Sequence, residues 1–190
     1  MPRRPDPTLK PTIVAKVARH LQDTKLEDAS VRSIGRVLGT SAYPIVYHFG
    51  SREALIDAVV DHVSAAQDRS LDPGADPCAL TEHLLAVFGG LDTPERLLAV
   101  RLTFELGCVE GLDGRDRQLR LHRRRVDELS AWCRAHGRCE ADADRTAQVA
   151  VAAARGAQWS ALVDPDRSDV DGALRAIAQD LAASVRLAAA

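Results

Sequence analysis

The sequence predicts an all-α protein of about nine helices: an N-terminal three-helix helix-turn-helix head joined to a larger helical body. Three observations carry this. The 190 residues are 46% hydrophobic but only 4% aromatic, with Ala, Leu and Val supplying most of the apolar content; alanine and leucine are good helix formers. Apolar residues recur at spacings of three and four in several stretches. No alternating apolar/polar run is bounded by turn residues, as a half-buried strand would be.

In the head, Ile13, Val17 and Leu21 repeat every fourth residue between Leu9 and Asp23, giving one apolar helix face. After a break at "TKLEDA", Ser30 can N-cap a second short helix, "VRSIGRVL", which Gly39 ends. A third helix holds Pro44, a residue that breaks helix interiors. With Ser41 as its N-cap, Ala42, Tyr43 and Pro44 occupy the first turn, where N–H groups have no intrahelical partner. There the proline sacrifices no bond and fixes φ for entry into the helix. Gly50 then stops that helix and Ser51 caps a fourth, from Arg52 towards Arg69, with Leu55, Ile56, Val59, Val60 and Val63 as its stripe.

"LDPGADP" (71–77) is the clearest linker, and the body reads as five helices, about 78–90, 94–110, 114–136, 142–163 and 169–188. Acidic residues in the intervening turns suit helix N-termini. The expected domains are 1–50, a basic arm with three prolines in its first seven residues followed by the helix-turn-helix, and 51–190, the helical body.

The net charge of −2 hides an asymmetry. Through Arg52 there are nine Lys/Arg against four Asp/Glu, hence +5; the remainder has 16 against 23, hence −7. A basic head on an acidic body points to a polyanion-binding module. No stretch approaches the roughly 20 uninterrupted apolar residues of a membrane span. "MPRRPDPTLK" has no apolar core behind its basic residues, so a cytoplasmic protein with no membrane association is expected. Cys78, Cys108, Cys133 and Cys139 have no paired metal-type spacing. Neither paired carboxylates in a plausible pocket nor a nucleophile motif stands out, so no enzyme, no metal and no cofactor are expected.

Two short helices joined by a glycine-containing turn in a basic segment form a helix-turn-helix, whose second helix enters a DNA major groove. "VRSIGRVLGTSAYPIVYHFGSREALIDAVV" resembles the DNA-binding head of TetR-type transcriptional regulators over roughly residues 9–60, most specifically in "YHFGSREAL". The resemblance implies a homodimer on a palindromic double-stranded DNA operator. It also implies a body that takes a small-molecule effector and dimerises through its last two helices, roughly 142–188. Carried over by position, Ser41, Ala42, Tyr43 and Ile45 face bases or groove walls, Tyr47, His48 and Arg52 touch phosphates, and Thr40 caps or reaches the backbone. Gly35 replaces the usual alanine, and the recognition helix has no Arg or Lys, so base readout would rest on thymine methyls and shape.

Bland readings stand beside these. Tyr43 and Tyr47 could pack the head, and His48 could be an ordinary surface histidine. Phe88, Phe104, Trp132, Trp159 and His122 are the effector-site candidates, but large aromatics fill cores as readily as they line cavities. "RLHRRRVDE" (120–128) could be a second nucleic-acid patch. Its pairs Asp116/Arg120, Arg123/Asp127 and Arg124/Glu128, four apart, favour a solvated face laced with ion pairs. The function that best joins these features is a ligand-responsive repressor. The alternatives are an activator of the same kind, a helical interaction protein and a small helical enzyme.

Overall fold

The computed structural model describes residues 9–39, 41 and 43–188; Thr40, Ala42 and the N-terminal arm lie outside the described residues. Nine α-helices and no strand are present among the described residues. They are α1 (Leu9–Gln22), α2 (Val31–Val37), α3 (Tyr43–Phe49), α4 (Arg52–Ser64), α5 (Pro77–Phe88), α6 (Pro94–Gly107), α7 (Arg117–Ala135), α8 (Glu140–Val163) and α9 (Val170–Ala188). The chain divides into two compact units. The first runs to Ala65 and takes in Pro94–Leu102; the second comprises Ala66–Thr93 and Thr103–Ala190. The first unit thus extends past residue 50, because α4 packs its apolar stripe against α1 and α3.

In the first unit, Ile13, Val17 and Leu21 of α1, Ile34 of α2, Ile45 of α3 and the α4 stripe from Leu55 to Val63 form the core. The break expected at residues 24–29 contains a 3-10 turn, Leu26–Asp28. Leu98, Ala99 and Leu102 are buried as well. Arg101 donates to the carbonyls of Leu21, Gln22 and Thr24, covering acceptors that the end of α1 leaves without helical partners.

The second unit has its own core, centred on Leu80, Leu84 and Phe88 of α5, Leu129 and Trp132 of α7, and Leu174 and Leu181 of α9. Ala143, Ala147, Ala150 and Ala154 line the buried side of α8, small enough to let it pack closely with α7 and α9. Trp132 is fully buried and its indole N–H donates to the Ala75 carbonyl at 2.7 Å. Asp76 caps α5 by accepting from the Ala79 N–H at 2.8 Å, with Pro77 as first helical residue. That sets the start of α5 one residue earlier than the sequence suggests.

The fourth helix is shorter than its sequence pattern, which ran towards Arg69. After Ser64 it tightens into a 3-10 turn, Ala65–Gln67. The carbonyls of Gln67 and Arg69 are then taken by Arg125 of α7, at 2.7 and 2.8 Å. Arg125 is only 3% exposed, and its third partner is Glu128 Oε2 at 2.8 Å.

His83 of α5 lies beside the same carboxylate, Nε2 3.7 Å from Glu128 Oε2. Burial lowers its pKa below 6.5, against the opposing pull of Glu128 and with help from Arg125. A histidine whose folded pKa is depressed binds more protons in the unfolded chain, so its protonation disfavours folding. Stability is therefore expected to be full above pH 6.5 and to decline as pH falls below it. Denaturant titrations from pH 7.5 to 5 should show this slope in the native chain and a shallower one in His83→Gln.

Candidate nucleic-acid interface

The helix-turn-helix is assembled from local capping and two left-handed glycines. The Ser30 hydroxyl accepts from the Ser33 N–H at 3.1 Å and caps α2. Gly39 ends the turn after α2 at φ 67°, and Gly50 follows α3 at φ 80°, backbone that residues with a side chain rarely adopt. Between them the Ser41 hydroxyl accepts from the Tyr43 N–H at 3.3 Å, the bond of an N-cap to the second residue beyond it. Regular helix begins at Tyr43, so Pro44 stands in the first turn. Ser51 then caps α4 by accepting from the Ala54 N–H at 3.1 Å.

The outward side of α3 is an aromatic strip. Tyr43 is 70% and Tyr47 61% exposed, their rings stacked at 5.8 Å and 23°. His48, half-buried, meets Tyr47 edge-on at 5.0 Å. Val46, 54% exposed, completes the face at the i, i+3, i+4 spacing. Ser41 is exposed at the N-terminal end of the strip. The hydroxyls and imidazole supply donors for phosphate oxygens, and the ring faces and Val46 supply apolar surface for a groove wall. Lys10, Lys16, Arg19, Arg32 and Arg36 are exposed on the same unit.

One expectation is corrected, and Arg52 takes on a structural role. Ile45 does not face a groove: it is fully buried, because a seven-residue helix needs an apolar anchor beneath it. Val46 takes the outward position instead. Two adjacent apolar residues in a short helix leave the phase open, and the exposed i+3 relation to Tyr43 was the available signal. Arg52 is tied to the backbone through part of its guanidinium. Its Nε donates to the Ala29 carbonyl at 2.7 Å and its NH2 to the Leu26 carbonyl, leaving NH1 3.9 Å from Glu53. Thr40 and Ala42 fall outside the described residues.

The body candidates do not converge. Trp132 and Phe88 are buried in the core of the second unit, so they fill space rather than line it. Phe104 and Trp159 meet edge to face at 5.4 Å, but Trp159 is 55% exposed and borders a surface groove of about 470 Å³ with Val163, Asp164 and Arg167. His122 is exposed on α7. On that helix Asp116 pairs with Arg120, and Arg124 with Asp68 at 2.6 Å and Glu128 at 4.0 Å. Arg123 and Asp127 are exposed and unpaired among the described residues. The buried Arg125 and Glu110 are charged residues that sequence reasoning missed. Arg125 shares a face with Leu129 and Trp132, at i+4 and i+7, and that spacing was the sign of an inward arginine.

A three-helix head with an exposed third helix, followed by a larger helical unit, is the fold of TetR-type transcriptional regulators. A transcriptional regulator from Rhodococcus sp. Rha1 superposes with a TM-score of 0.73 at 18% identity, covering 93% of this chain and 97% of that one. A TetR transcriptional regulator from Legionella pneumophila gives 0.63 at 14% identity over 96% and 98%. BioQ in a crystal structure with its double-stranded DNA operator gives 0.52 at 22% identity over 92% and 98%. No family model and no curated protein matches the sequence.

Two tests follow from α3 and its brace. Ile45→Ala should lower stability by about 2–4 kcal/mol, as buried Ile-to-Ala truncations do, whereas Val46→Ala should leave it within about 0.5 kcal/mol. Arg52→Ala should cost about 1–3 kcal/mol through two lost charge-assisted bonds, and Arg52→Lys should recover little of it because an ammonium lacks the fork. Denaturant unfolding of the four variants measures both.

Proposed function

We propose that this chain is a DNA-binding transcriptional regulator, a ligand-responsive repressor acting as a homodimer on a palindromic operator. The observation that carries the reading is the exposed strip Ser41–Tyr43–Val46–Tyr47 on α3, held between two capped helices in a basic head. The same fold in BioQ, solved with its operator, supports it. Ser41, Tyr43 and Val46 would meet the groove, and Tyr47 and His48 the phosphates. Without Arg or Lys on α3, base discrimination would come from thymine methyls and groove shape. The division of labour would give DNA binding to the head and effector binding and dimerisation to the rest. The structural neighbours are regulators, which fits a protein that is not an enzyme.

The dimer reading is supported by α8. Val149, Ala152, Ala153, Gly156, Trp159 and Val163 form one exposed stripe along it, and three of them are large apolar residues at 64%, 55% and 65% exposure. Such a face gains from being covered, and a second copy of α8 and α9 would cover it. Among the described residues no helix is long and apolar enough to cross a membrane; a cytoplasmic location goes with the regulator reading. Effector binding would shift the dimer towards a state whose two heads no longer match successive major grooves.

Selection of bound DNA from a random pool tests the reading. The expected site is palindromic, with half-sites about 34 Å apart or a multiple of that, and affinity falls steeply with salt through counterion release. Tyr43→Ala and Val46→Ala should weaken the selected site by roughly 1–3 kcal/mol while sparing random DNA. A non-repeating site with a flat salt dependence would refute the proposal.

A further inference from the structure

We propose that Val46 is a specificity-determining residue that reads the C5-methyl group of a pyrimidine in the major groove. Thymine and 5-methylcytosine then serve alike at one position of each half-site, whereas uracil and cytosine do not. This deepens the DNA-binding reading proposed above and rests on it.

No side chain of α3 reads a base by paired hydrogen bonds. The helix, Tyr43–Phe49, contains no Arg, Lys, Asn, Gln, Asp or Glu. Those are the side chains that match the two-point patterns of guanine and adenine or accept from cytosine. The polar side-chain atoms of α3 are the hydroxyls of Tyr43 and Tyr47 and the imidazole of His48. The two tyrosine rings stack on each other, centroids 5.8 Å apart, so part of each ring face is already covered.

Val46 differs in kind. It is 54% exposed on the same face as both tyrosines, and its side chain has no polar atom. A base edge that only donates or accepts hydrogen bonds offers it nothing. The apolar group of the major groove is the C5-methyl of thymine, and 5-methylcytosine carries a methyl at the same ring position. Contact between that methyl and Val46 removes apolar surface of both partners from water. A single exposed valine elsewhere on a protein is ordinary; this one stands at the middle of the helix that the head holds outward.

The methyls of Val46 are placed before any DNA arrives. Branching at Cβ leaves valine one strongly preferred χ1 in a helix. The Val46 carbonyl accepts from the Gly50 N–H at 2.9 Å, which closes the end of α3 around it. The adjacent Ile45 is fully buried and anchors the same turn. A short, stiff side chain on an anchored turn loses little freedom on contact, so most of the gain from burial is kept.

The test uses the full chain and the site selected from random DNA, with each thymine of the half-site replaced in turn by uracil. Affinities are measured at low salt, where phosphate contacts keep every variant bound. At one position uracil should weaken binding about fourfold per half-site, the worth of one buried methyl-sized group. Val46→Ala should bind the thymine and uracil sites equally at that position, whereas Tyr43→Ala should keep the difference; this cycle isolates the contact. With cytosine there, the native chain should bind weakly, and 5-methylcytosine should restore about fourfold, but not in Val46→Ala. The proposal is overturned if no thymine is sensitive to uracil, if Val46→Ala keeps the full ratio, or if 5-methylcytosine binds no better than cytosine. Failure to select any site sinks the DNA-binding reading and this one with it. A selected site indifferent to the methyl groups overturns this inference alone.

Discussion

The head depends on where one guanidinium places its donors. Arg52 is the first residue of α4, and it reaches back to the carbonyls of Leu26 and Ala29, just ahead of α2. The start of the fourth helix is thereby tied to the entry of the second, with the turn and α3 enclosed between them. Charge-assisted bonds to backbone in a half-buried place outweigh the looser approach to Glu53, which water screens. The angle at which α3 is presented is fixed by this tie and by the Ile45 anchor together. A seven-residue helix has no stability of its own to fix it.

What could be read from the sequence was whatever local chemistry decides. Ser30 and Ser51 cap their helices, and Gly39 and Gly50 adopt positive φ where turns were expected. Pro44 sits in a first turn because its constraint concerns only the residues around it. What could not be read depended on groups far away in sequence. Arg52 turns inward because the carbonyls of Leu26 and Ala29, at a 3-10 turn more than 20 residues earlier, lie within reach of its donors. Arg125 turns inward because carbonyls of the chain after α4, 56 and 58 residues away, lie within reach of its donors. In a run as basic as "RLHRRRVDE", solvation is the sound expectation for each arginine taken singly. Only the position of Arg125 above Leu129 and Trp132 departs from it.

The second unit resolves the aromatic ambiguity by size and polarity. Trp132 is buried because Ala75 offers a carbonyl for its indole N–H, the condition under which a tryptophan enters a core. Phe88 has no polar atom to satisfy and goes under Arg155. Trp159, without a hydrogen-bond partner of that kind, remains outside with Val149 and Val163 on the stripe of α8. Alanines on the opposite side of the same helix face the core. One helix therefore carries two apolar faces of different grain, small residues inward and larger ones outward.

The head is not a contiguous stretch of chain. Leu98, Ala99 and Leu102 are in the first unit with α1–α4, and Arg101 closes the end of α1. A recombination event cutting at the proline-rich linker would separate the head from a piece of itself. Exchange of heads between relatives would then carry a requirement at two places in the gene: the incoming α1 must present carbonyls that the resident arginine can reach. The first unit is encoded on both sides of a linker that looks like a natural seam.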